Sequence, residues 1–260
     1  MRIIAISNQK GGSAKTTTCV CLGAALAEKQ RRVLVIDLDP QASASSWFGV
    51  EYRGRGLLDV LAANGRLTDI VVGTATTGVD IVPSSSWLLG AEKALAGEVG
   101  AETILSRRLA QLPADRWDYV FIDCPPNLGI LTVNALAAAP EVLIPVEAHV
   151  MALSGLAQLM QTVEVVQERL NPSLTVAGIV ASRVDSRTRH GKEVVQQLQD
   201  HFGGLVYTTC IRENVRIAEC PSFARPITTY DTRSNGAADY RSLAAEVIQA
   251  ESAQAREKTT

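Results

Sequence analysis

The sequence lacks an excess of either charge: 25 Lys and Arg stand against 27 Asp and Glu, a formal net charge of -2. That excludes a chain coated in positive charge, yet leaves room for a local basic patch, because binding depends on where charge sits. No apolar run approaches the length of a membrane span. The apolar start, Met1 to Asn8, is too short for a secretory signal. Cysteines are few and odd in number, and Cys19, Cys21, Cys124, Cys210 and Cys220 include no Cys-x-x-Cys pair. Neither a zinc site nor a disulfide framework is expected from them; buried, reduced thiols are. No linker, repeat or low-complexity tract divides the chain. These shortages point to a soluble, cytoplasmic protein with one domain.

What is present is a chain of 260 residues, 47% hydrophobic, enough for one sizeable core. Short apolar, β-branched runs predict strands at Ile3–Ser7, Val33–Asp37, Val79–Pro83, Tyr119–Asp123, Val142–Val146, Val176–Ala181 and Val206–Ile211. Several show almost no polar alternation, as a parallel sheet covered on both faces requires. Helical periodicity fills the intervals at Thr16–Glu28, Ala101–Leu112, Leu153–Leu170, Lys192–Phe202 and Ala237–Ala250. Strand and helix in alternation imply an α/β fold, a doubly wound, mostly parallel sheet with helices on both faces. Residues 1–250 are read as a single domain. The polar stretch Glu251–Thr260 is expected to fray.

One junction carries the chemistry. After the first strand comes Asn8-Gln9-Lys10-Gly11-Gly12-Ser13-Ala14-Lys15-Thr16-Thr17-Thr18, and then a helix. Glycines let backbone N–H groups turn inward around anionic oxygens, and the helix N-terminus adds a favourable partial charge. In a P-loop, Lys15 reaches the β- and γ-phosphates of ATP, the Thr16 hydroxyl ligates Mg²⁺, and Thr17 bonds the α-phosphate. The loop departs from the usual pattern twice. Lys10 stands where the first glycine belongs, and Ala14 replaces the glycine before the lysine.

Lys10-Gly11-Gly12-x-x-Lys15-Thr16 resembles the deviant Walker A motif of the ParA/MinD family of ATPases. Val33-Leu34-Val35-Ile36-Asp37-Leu38-Asp39-Pro40-Gln41 is similar to that family's second motif, and Phe121-Ile122-Asp123-Cys124-Pro125-Pro126 to its third. Asn214-Val215-Arg216, Pro221, Pro226-Ile227 and Tyr230-Asp231 resemble the chromosomal ParA (Soj) branch. The likeness runs from about Ile3 to Val247. It implies a P-loop ATPase that dimerises around ATP and Mg²⁺, with Lys10 reaching across to the partner's nucleotide. It further implies a ParB-like activator protein with a basic N-terminal segment.

Asp123 ends an apolar run, so it lies at the carboxyl end of a strand, where it can hold a water on Mg²⁺. Asp37 and Asp39 flank Leu38 at another strand end and are read as pointing to opposite faces, which gives them separate tasks. By resemblance Asp39 orients the attacking water and Asp37 contacts a switch segment. Resemblance also points to Ser182-Arg183 and Arg212-Glu213 for the adenine, although the asparagine and proline common in relatives are missing.

The tail Glu251–Thr260 carries no large apolar residue, so membrane anchoring through it is not expected. Arg187 and Arg216 match positions that the Soj-like branch uses for nonspecific double-stranded DNA, which implies a nucleoid-associated protein. A solvated surface, diluted by Asp185, Glu193, Glu213 and Glu219, is the competing reading of those arginines. Two functions stay open: a DNA-dependent ATPase switch that positions a chromosome, plasmid or other cargo, and an ATP-dependent metabolic or metal-cluster assembly enzyme on the same fold.

Overall fold

The computed structural model describes residues 1–148 and 152–257. Eight strands form one sheet in the order β3-β4-β2-β5-β1-β6-β7-β8. They are β1 (Arg2–Ile6), β2 (Val33–Asp37), β3 (Val72–Gly73), β4 (Val79–Val82), β5 (Tyr119–Asp123), β6 (Glu141–Glu147), β7 (Thr175–Val184) and β8 (Ile211–Arg212). Every pairing is parallel except β3 with β4. The central strands are buried along both faces, which their continuous apolar runs require. Ala5, Leu34, Ile36, Val120 and Ile122 belong to one core layer, and Ile4, Ile6, Val33, Val35 and Phe121 to the other. Helices cover each layer, as expected of a doubly wound fold.

The helix Lys15–Glu28 packs its Ala, Cys and Leu side chains on the second layer and against the helix Asn235–Glu257. Gly23 sits over Val33 and Phe121; a methyl group there would already touch both. Four of the cysteines are buried, Cys210 is half-buried, and all five are free thiols. Burial pushes the Cys19, Cys21 and Cys124 thiols far up.

Several elements differ from expectation. The run Val206–Ile211 is not a continuous strand: Val206 makes one bridge to Ile179, and pairing resumes at Ile211. Between them the Thr208 and Thr209 N–H groups donate to the Glu246 carboxylate, which replaces the missing ladder partners. Ala101–Leu112 holds only a short 3-10 turn and the helix Ile104–Leu109. The helix Ile130–Ala138 is almost wholly apolar, with Thr132 and Asn134 buried in it, and carries no periodic signal from which to expect it. Glu251 is not frayed: the helix runs on to Glu257, and the Glu251 carboxylate accepts from the Tyr119 hydroxyl at 2.6 Å. Residues 258–260 of that expected tail lie outside the described residues.

Candidate active site

Parallel pairing lines up the carboxyl ends of β1, β2 and β5. Ile6 lies opposite Asp123, and Asp123 opposite Asp37. The chain leaving β1 becomes the loop Lys10–Ala14, so the sheet places that loop beside the carboxylates. A cleft of about 1040 Å³ opens there, lined by Gly11 to Thr17 and Asp39.

The loop has the shape of an anion cradle. Gly12 is left-handed at φ 77, and a methyl group at Gly11 or Gly12 would meet no atom within 4 Å. The following 14-residue helix has no acid in its first turn and no side-chain cap, so its N-terminal N–H groups face the cleft without an internal anion. Lys15 is only 7% exposed, and its Nζ donates to the Lys10 carbonyl at 3.2 Å. Burial lowers the Lys15 pKa, while Asp123, Cys124 and Asp39 oppose that shift. The Lys10 side chain turns the other way. Its Nζ pairs with Glu147 Oε2 at 2.8 Å, at the end of β6, and Arg183 Nη1 meets the other Glu147 oxygen at 3.1 Å.

Ala14 adopts φ 66, ψ 25, a left-handed conformation that costs an L-residue about 1–2 kcal/mol. The strain belongs to the loop itself. Ala14→Gly is therefore expected to raise the unfolding free energy by about 1 kcal/mol, measured by urea titration of the nucleotide-free protein. A variant no more stable than its parent would show that the loop holds alanine without cost. Ala42, at φ 53, offers a second position of the same kind.

Asp37 and Asp39 are not turned to opposite faces. Strand alternation has a period of two, so residues two apart share a side. Asp39 has also already left β2, and its N–H donates to Asp37 Oδ1 at 3.3 Å. Asp37 Oδ2 accepts from the Ser45 N–H at 2.7 Å and the Ser45 hydroxyl at 2.6 Å. The Ser84 N–H in turn donates to Ser45 Oγ. Asp37 thus holds the segment after β2 in place. Burial pushes its pKa up to about 6, against the bonds from Ser45. Asp39 Oδ1 accepts from the Gln41 N–H at 2.9 Å, which fixes the carboxylate in the wall of the cleft.

Asp123 is fully buried, and neither carboxylate oxygen has a hydrogen-bond partner. Burial, then the Asp37 charge, pushes its pKa well up. The Thr16 hydroxyl and Lys15 favour the charged form, Thr16 from close by without completing a bond of ordinary geometry. An orphaned carboxylate beside a threonine hydroxyl fits a cation. Among the described residues no group of three or more His, Cys, Asp or Glu is placed to cage a metal alone. Mg²⁺ at phosphates needs no such cage, since it takes only one or two protein ligands and otherwise water and phosphate oxygens.

Ser182, Arg183, Arg212 and Glu213 line the far end of the same cleft. Ser182 Oγ is buried without a partner, whereas the Arg212 guanidinium is taken by Asp239. Arg187 also reaches the cleft rim, bound by Asp185 through two contacts of 3.0 and 3.1 Å. Arg216 pairs with Glu219 at 2.9 Å and lies 3.7 Å from Asp231. Sequence reasoning passed over Arg225 and Arg233. Both are exposed, and among the described residues no acid lies within ion-pair distance of either. In sequence they alternate with a stacked pair, Phe223 and Tyr230, whose ring centroids are 4.9 Å apart. Arginines interleaved with an exposed aromatic were the available signal.

Residues 1–176 match a family model described as an AAA domain. The sporulation initiation inhibitor protein Soj of Bacillus subtilis is 44% identical over 95% of this chain and 98% of its own length. The chain belongs to the ParA/MinD family of ATPases, in its Soj branch. The chromosome partitioning protein ParA of Caulobacter vibrioides is 41% identical over 96% of this chain and 95% of its own. A solved structure named cobyrinic acid a,c-diamide synthase, from Mycobacterium smegmatis with bound ADP and magnesium, superposes with a TM-score of 0.84 at 35% identity. It covers 96% of this chain and 94% of that one. This ParA-family chain is accordingly a Mg²⁺-dependent ATPase, and ATP and Mg²⁺ are its cofactors. Among the described residues no helix is long and apolar enough to cross a membrane.

Proposed function

We propose that this ParA-family ATPase is a dimerisation switch that binds DNA without sequence preference and positions a chromosome, plasmid or other cargo. The observation that carries this reading is a deviant loop, in which Lys10 is turned out to Glu147 while Lys15 stays buried, on the same cleft as Arg187. In this reading Lys10, Gly11, Gly12, Ser13, Ala14, Lys15, Thr16 and Thr17 hold the nucleotide, and Thr16 and Asp123 hold Mg²⁺. When bound, Mg²⁺·ATP supplies the transferable phosphoryl group. Asp39 orients water, and catalysis rests on positioning and charge neutralisation. Lys10 leaves Glu147 and reaches the second subunit's nucleotide. The part-buried pair Lys10–Glu147 has to open for this step, and Arg183 stays beside the Glu147 carboxylate when it does.

Arg187 and Arg216 contribute to the DNA surface together with Arg225 and Arg233. The acids paired with the first two weaken their field, so the unpaired Arg225 and Arg233 carry more of it. A ParB-like partner stimulates hydrolysis, and the protein gathers on the nucleoid. The test is DNA affinity with ATP and with ADP across a salt series. ATP should favour binding on any sequence. Arg225→Ala and Arg233→Ala should each lower the salt slope by about 0.9. Equal affinities with ATP and ADP would reject the switch. The name of the 35% identical structure favours a second reading, a metabolic enzyme that uses ATP on an organic acid. That reading predicts no DNA binding in either nucleotide.

A further inference from the structure

We infer that Trp47 is a positioning residue that ties the segment after Asp39 to the segment 220–226, which carries the exposed Arg225, so that the nucleotide sets the affinity for DNA through it. This rests on the DNA reading above. The tie begins at the site. Asp37 and Asp39 fix the turn that follows β2, and the short helix Ser43–Trp47 grows from it, held at Ser45 by Asp37. Trp47 ends that helix, is 5% exposed, and lines the cleft. Its indole Nε1–H donates to the carbonyl of Arg225 at 2.9 Å, across 178 positions of sequence. Two residues on, the backbones approach each other: a Cβ on Gly49 would lie 3.3 Å from the Ala224 Cβ, and Gly49 is left-handed at φ 69.

The acceptor is informative. Arg225 presents its guanidinium to solvent while its carbonyl is held by the nucleotide segment. Its neighbour Phe223 is 58% exposed, and Ala224 between them is itself left-handed at φ 49. A buried indole N–H without its acceptor loses a bond it cannot replace. Any shift of residues 39–47 therefore either drags Arg225 along or breaks this bond, and a packed contact of that kind moves between discrete positions. Thermodynamic reciprocity requires that DNA on the Arg225 side also bias the nucleotide segment.

Trp47→Phe keeps an aromatic ring and removes the donor together with the five-membered ring of the indole. With saturating nucleotide, the ratio of DNA affinity in ATP to that in ADP should fall by about 5-fold, the low end of coupling between linked sites. A ratio equal to the parent's overturns the tie. A second measurement needs no DNA. Amide exchange of residues 220–226 in the parent protein should differ between ATP and ADP, and the difference should shrink in Trp47→Phe. No difference in the parent also overturns it. A parent that shows the exchange difference but binds no DNA would sink the DNA reading and leave the tie standing.

Discussion

Asp123→Asn should give a protein that is more stable and nearly inactive. The carboxylate is buried with no hydrogen-bond partner, and its pKa stands well above the ordinary value of 3.8. Burial and the neighbouring Asp37 both disfavour its charge. A carboxyl with a raised folded pKa costs stability as pH climbs above its unfolded value, because the folded state then releases its proton less readily. The asparagine removes that cost. The gain over the parent should be small at pH 4 and grow with pH, reaching about 1–3 kcal/mol. Turnover should fall at least about 100-fold, since a neutral amide cannot hold Mg²⁺ as a carboxylate does. Urea titrations at pH 4, 6 and 8, with and without Mg²⁺·ATP, read both effects. Mg²⁺·ATP should stabilise the parent more than the variant. A variant that is less stable at pH 8 would mean that Asp123 has structural partners instead.

Asp39→Ala is expected to keep ATP and lose hydrolysis. Asp39 lines the cleft, its Oδ1 bonded to the Gln41 N–H and its carbonyl to the Ser84 hydroxyl. The loop Lys10–Thr17 is held by other contacts, so the substitution leaves the phosphate cradle standing. A carboxylate that orients water contributes about 100-fold or more to the rate. Without it, ATP should persist and, on the proposed cycle, so should the dimer. Sedimentation with ATP should show a long-lived dimer for Asp39→Ala. Adding Lys10→Ala should return it to monomer. A monomer in the single variant, or parent-like hydrolysis, would remove Asp39 from the water-positioning role.

The phosphate loop and the Asp123 strand end were legible because local sequence fixes them. Glycines at a strand-to-helix junction and a carboxylate after an apolar run need no distant partner to be read. The parallel core strands were legible for the same reason: burial on both faces leaves no polar residues in them. What was missed depends on contacts between remote segments. Glu246 interrupts the run around Thr208 from a helix nearly forty residues away. The pairing of Lys10 with Glu147 spans 137 positions. Arg225 and Arg233 stand out only because the structure shows that the neighbouring Arg183, Arg187, Arg189, Arg212, Arg216 and Arg241 already have acids. The opposite faces assigned to Asp37 and Asp39 failed on simple geometry, since residues two apart share a side in a strand and Asp39 has already left β2; their different partners, Ser45 and Gln41, come from the turn that follows.

Both edges of the sheet are two-residue strands, β3 at one side and β8 at the other. A long bare edge invites a neighbouring chain to add itself as another strand, and repetition of that step builds fibres. On the DNA-binding reading proposed above, the protein is concentrated on DNA, where such encounters are frequent. β8 pairs with β7 only at Ser182 and Val184, Val206 bridges Ile179, and Glu246 occupies two of the N–H groups that a longer β8 would have offered. Growth by strand addition is thereby suppressed, so self-association can be governed by nucleotide rather than by crowding.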